Sequence, residues 1–145
     1  MVMHEPAPPS GRWDTAALKA GASVSLVFAV PFSIAARWAA DSRDDSGLAV
    51  WLSIGAVVGF VLGAGCAAWV QRLDLPYSHA LAAAIGTYVA AQAVFIVIRL
   101  IRGADVNWFA AFFNLSVVVG AGVVGGALGQ RLRSKGFRPT GPGGA

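Results

Sequence analysis

Residues 117–129 read VVVGAGVVGGALG, and within them Gly120, Gly122 and Gly125 spell G-x-G-x-x-G. Those are the letters of a loop that cradles a dinucleotide's phosphates. That chemistry needs a strand before the glycines, a helix opening at them and an acidic residue about 20 positions later for the ribose. Counting on from Gly122 reaches the terminal GPGGA, which contains neither an acid nor room for a second strand. The other residue types that could do chemistry are sparse. His4 and His79 stand apart and lack the thiol or carboxylate neighbours of a metal site. Cys66 is the single cysteine, so no disulfide can form within the chain. No serine has the neighbours that activate a nucleophile. The expectation is a protein that is not an enzyme, with no catalytic residue, cofactor or metal.

A second set of polar residues sits within apolar runs: Tyr88, Gln92, Asn114 and Ser116. Tyr88 and Gln92 are four apart and share a helical face. Hydroxyls and amides in such surroundings serve as hydrogen-bonding glue between helices or as contacts for a substrate, and glue is the simpler use.

The elements that carry these residues follow from composition. Of 145 residues, 57% are hydrophobic and only 12% are charged, against roughly 25% charged in soluble domains. A polar surface of that size cannot cover a soluble globule this small, whereas lipid can. Four apolar runs reach the ~18 residues needed to cross a hydrocarbon layer of about 30 Å: 15–40, 47–70, 78–100 and 107–129. Only helices satisfy their own backbone at that depth, and the short connections force neighbours to run antiparallel. The expected fold is an all-α integral membrane four-helix bundle. A mobile tail is expected over 1–14 and a basic, Gly/Pro-rich tail over 131–145. Trp13, Trp38, Trp51, Trp69 and Trp108 all fall near span ends, where indole rings anchor at the membrane–water interface.

Four spans put both termini on one side. That side carries Arg12, Lys19, Arg72, Arg131, Arg133, Lys135 and Arg138, the other Arg37, Arg43, Arg99 and Arg102. Basic residues concentrate in cytoplasmic segments, so both termini are expected in the cytoplasm and the protein in the plasma (inner) membrane. The basicity is then a topology signal. Nucleic acid is not expected as a partner; membrane lipids are, and the RLRSKGFR segment suits anionic headgroups.

The glycines have a use here that requires no nucleotide. Gly55, Gly59 and Gly63 recur every four residues, as do Gly122 with Gly126, Gly125 with Gly129, and Ala82, Gly86 and Ala90. Residues four apart line one helical face, and small ones let backbones approach closely. These faces are expected to pack against other helices of the chain, against further membrane subunits or against a second copy. Val118 and Val119 are expected to tolerate leucine. The chain also hints at a parallel repeat of two hairpins, since Gly63 precedes Gln71-Arg72-Leu73 as Gly122 precedes Gln130-Arg131-Leu132.

In its four short spans, glycine-rich last helix and Ala/Val/Gly/Arg bias, the chain resembles small actinobacterial four-span membrane proteins, some of them four-helix relatives of drug/metabolite transporters. One lineage of these resembles the accessory membrane subunit associated with mammalian-cell-entry (Mce) lipid importers. The resemblance implies an accessory subunit of a transport complex. The alternative is a homo-oligomeric small transporter of lipophilic or cationic solutes. Small multidrug transporters carry a glutamate in their first span, and the corresponding GASVSLVFAVPF here has none.

Overall fold

The computed structural model describes residues 11–42 and 45–139. It contains four helices: α1 (Thr15–Ser42), α2 (Ser46–Val70), α3 (Pro76–Ile101) and α4 (Trp108–Ser134). All four are long and apolar enough to cross a membrane. In none does more than 28% of the most apolar window lie buried inside the protein, so most of each helix surface is left for lipid. The architecture is an all-α four-helix bundle of the kind that spans a bilayer.

Helix starts are set by local chemistry. Asp45 and Asn107 accept the Leu48 and Ala110 N–H groups at 2.9 and 3.0 Å, satisfying donors that a helix N-terminus leaves open. Pro76 opens α3, where its missing N–H costs nothing, and α3 therefore begins two residues before the hydropathy boundary. At the other end α4 runs on through Arg131 and Arg133 to Ser134. The first residues of the expected tail are thus helical, because basic side chains suit the negative end of a helix. Gly136, at φ 81°, then ends it. Helix α1 passes through Pro31 without interruption.

Helix α1 packs chiefly on α2 and also on α3; α4 packs on α2 and α3; α1 and α4 do not meet. Antiparallel neighbours define two ends, a terminal end holding the start of α1 and the finish of α4, and an opposite end. Along α3 the buried residues run only from His79 to Thr87, and along α4 only from Val118 to Gly129. Both sets lie towards the terminal end. Beyond them no described residue of α3 or α4 is fully buried, and Tyr88 packs partly buried on the core. The buried apolar side chains are alanines apart from Phe60 and Val118. Val118 is thus core, contrary to the lipid-facing position expected for it, while Val119 is 36% exposed. The two hairpins also differ in packing, because α2 touches α3 where a two-fold repeat would require α1 to touch α4 equally.

Candidate functional site

The glycine seams are closed within the chain. An added Cβ at Gly59 would lie 2.6 Å from the Ala29 nitrogen, and one at Gly63 would lie 2.6 Å from the Gly21 oxygen, both on α1. At Gly55 the nearest atom is Cδ1 of Phe32, at 2.8 Å. Helix α4 has two smooth faces. Gly125 and Gly129 would meet the Val61 and Gly65 oxygens of α2 at 2.5 and 2.6 Å. Gly122 and Gly126 would meet Leu81 and Tyr77 side chains of α3 at 3.0 and 2.9 Å. These six seam positions and Gly55 therefore serve intramolecular packing.

Gly86 does not belong with them. A Cβ added there would meet nothing within 4 Å, and the same holds for Gly120. The face of α3 that packs is that of Ala80, Ala83, Ala84 and Thr87. Four-residue spacing shows that Ala82, Gly86 and Ala90 share a face, but not that the face is covered. The G-x-G-x-x-G letters fall inside α4, where N–H groups are committed to carbonyls one turn back and cannot cradle a phosphate.

At the terminal end a polar knot ties three helices together. Asp14 is buried, although the sequence places it in the tail; it caps α1, with Oδ1 accepting the Ala17 N–H at 3.2 Å. Its Oδ2 accepts the Arg72 backbone N–H at 3.2 Å and the Arg72 Nε–H at 3.3 Å. Burial pushes this carboxyl up, but the hydrogen bonds from Ala17 and Arg72 and the Arg72 charge outweigh it and hold the group below its ordinary range. The Asp14 N–H in turn donates to Nε2 of buried His79 at 2.8 Å. Nδ1 of His79 faces the Leu75 carbonyl at 2.9 Å, an arrangement that suits a neutral ring with its proton on Nδ1. Trp13 meets the His79 ring edge-on at 5.5 Å. Gln71 Oε1 accepts the Leu73 and Leu75 N–H groups. This knot is structural, since the carboxylate, the imidazole and the Gln71 carbonyl are all engaged in closing helix ends. His4 lies outside the described residues.

Towards the opposite end a cleft of about 760 Å³ is lined by all four helices. Its inner wall is apolar, with Val57, Phe60, Val117 and Val118. Its polar groups are Ser33, Arg37, Ser46, Ser53, Tyr88, Gln92 and Asn114. Arg37 and Asn114 are exposed, so the cleft is open. Three of the four polar residues singled out in the sequence come together here. The Tyr88 hydroxyl donates to the Ala111 carbonyl of α4 at 2.7 Å, Gln92 accepts from Arg37 of α1 at 3.3 Å, and Asn114 stands on the wall. Ser116 instead bonds the Phe112 carbonyl of its own helix. From the sequence, Arg37 reads only as a span-end residue; the signal for more is its position one turn short of Asp41 on an otherwise uncharged stretch.

Of the interface tryptophans, Trp13, Trp38, Trp51 and Trp108 are exposed beside helix ends, and Trp69 donates its indole N–H to the Phe137 carbonyl at 2.8 Å. Comparison with protein-family models, with curated proteins and with solved structures finds no match to this chain.

Proposed function

We propose that this multi-pass membrane protein acts without catalysis, by holding a lipophilic molecule in the cleft between its helices as part of solute or lipid transfer. The observation that supports this reading is the cleft itself. Its volume lies in the 300–1,000 Å³ range of small-molecule sites, and it combines apolar walls with a few convergent polar groups. Most of the cleft's α3 and α4 lining lies beyond the buried stretches of those helices, with Val118 at the boundary.

An accessory role beside larger membrane subunits, or a homo-oligomer, draws its support from smooth glycine faces. Apart from the faces of Gly86 and Gly120, which meet nothing, those faces are filled by α1, α2 and α3 of the same chain, and the support shifts to the cleft. We place both termini in the cytoplasm, on the distribution of basic residues; a reporter fused after Ala145 checks this by its exposure in intact cells.

The cleft is tested with the purified chain in nanodiscs and a neutral, environment-sensitive apolar dye. Saturable binding that is lost on filling the space with Val117→Trp is the expected result. Val117 lines the cleft but is only half-buried, so the variant keeps the bundle. Equal binding by both proteins would sink the reading. Stoichiometric co-purification with larger subunits would restore the accessory role.

A further inference from the structure

We infer that the cleft selects an amphiphile with a single anionic headgroup, drawn from the bilayer, and that Arg37 reads the charge. This rests on the cleft being a binding site, as proposed above.

Arg37 is held in place on the cleft wall by two contacts. Its Nη2 donates to Gln92 Oε1 at 3.3 Å, and its guanidinium carbon lies 4.7 Å from the centre of the Phe95 ring. A guanidinium carries five N–H donors in a planar fork that matches carboxylate and phosphate oxygens. Gln92 engages one nitrogen, and the ring takes a face rather than an edge. Among the described residues no carboxylate lines the cleft; Tyr88 is the other titratable group on its wall. The ion pairs among the described residues, Arg72–Asp14 and Arg133–Asp74, are both at the terminal end. Asp41, one turn further along α1, forms no ion pair with Arg37. Among the described residues the guanidinium thus has no carboxylate partner, and its remaining N–H donors are left for the oxygens of an anion.

Depth fits the same occupant. Arg37 is five residues before the end of α1, about 8 Å of helix, which is close to headgroup level. Asn114 also lines the cleft, and Phe60, Val57 and Val118 supply apolar lining. A headgroup at Arg37 would leave an apolar chain among those side chains. A cationic solute, one of the two classes expected from the sequence, would meet like charge.

The test uses the purified protein in zwitterionic nanodiscs with two probes, a pyrene-labelled fatty acid and its methyl ester, which differ only in charge. The expected result is that the acid binds about tenfold or more tightly, the scale of one charge-assisted hydrogen-bonding contact. Arg37→Gln should abolish that preference, so that acid and ester bind alike, and thermal unfolding in detergent at the temperature of the unaltered protein reports that the variant is folded. Equal binding of acid and ester by the unaltered protein, or a preference that survives in Arg37→Gln, overturns the inference and leaves the cleft intact as a site. Displacement of the acid by an equal concentration of acetate overturns it too, because an anion alone would then suffice. Failure of both probes, together with no binding of the neutral dye, removes the cleft reading itself.

Discussion

Near the terminal end, α1 and α2 meet through Gly21, Ser25 and Ala29 against Gly59, Gly63 and Ala67, and α4 enters the same layer through Gly125 and Gly129. Towards the opposite end the bundle carries Phe32, Phe95, Phe109, Phe112 and Phe113, and the last three are more than half exposed. The first half has side chains so small that backbones touch; the second holds the cleft that all four helices line. A bilayer supplies no hydrophobic drive between helices, so association rests on the close contacts of the first half. The second half is thereby free to leave a space. Close packing and the cleft proposed for binding are separated along the helix axes instead of being divided between domains.

The largest test of that division is bulk in a seam. Gly63→Leu or Gly125→Leu should destabilise the bundle by roughly 3 kcal/mol or more, because the obstructing atoms include backbone that cannot swing aside. Thermal unfolding in detergent is the measurement, with Gly86→Leu and Gly120→Leu as partners that should stay within about 0.5 kcal/mol. Gly122→Leu and Gly126→Leu should fall between, since they press on side chains. Similar losses at Gly86 and Gly125 would erase the distinction between seam and surface.

The next effect concerns the knot that closes the terminal end. Asp14→Ala removes a helix cap and the Arg72 pairing, and about 2 kcal/mol should be lost. The pH dependence has a definite sign. Because the folded carboxyl titrates below its ordinary value of 3.8, its contribution is fully present above that value and disappears as pH falls through the lowered one. Acid titration of the unaltered protein should show this loss below about pH 4, and Asp14→Ala should flatten that part of the curve. An unchanged acid profile in the variant would assign the loss to other carboxylates.

The smallest effect is expected beside the cleft. Tyr88→Phe gives up one hydrogen bond to the Ala111 carbonyl, worth around 0.6 kcal/mol within membranes. A much larger loss would mean that the half with the cleft also holds the bundle together.

Local sequence showed the number and approximate bounds of the spans, because hydropathy over some 20 residues and tryptophans at the ends are properties of one segment. It showed which glycines share a face but not what covers the face, which is why Gly86 and Gly125 look alike in the sequence. Contacts made across long separations were not legible. Asp14 and His79 are 65 positions apart, and neither has a local feature announcing the other. The cleft was legible only as scattered residues, Tyr88, Gln92 and Asn114, because its shape depends on how all four helices pack.

The seams also bear on how this chain can vary. Glycine codons change by single-base substitution into alanine, serine, cysteine, valine, arginine, aspartate, glutamate or tryptophan, and every one of these adds a Cβ. At Gly63, Gly125 and Gly129 even that one carbon would lie within 2.6 Å of a backbone oxygen on a neighbouring helix. Almost any missense change there should be harmful, while the lipid-facing positions exchange one apolar residue for another with little cost. Descendants of this gene would then drift quickly in most of their length while a few glycines stay fixed, like rivets in a hull that is otherwise replanked.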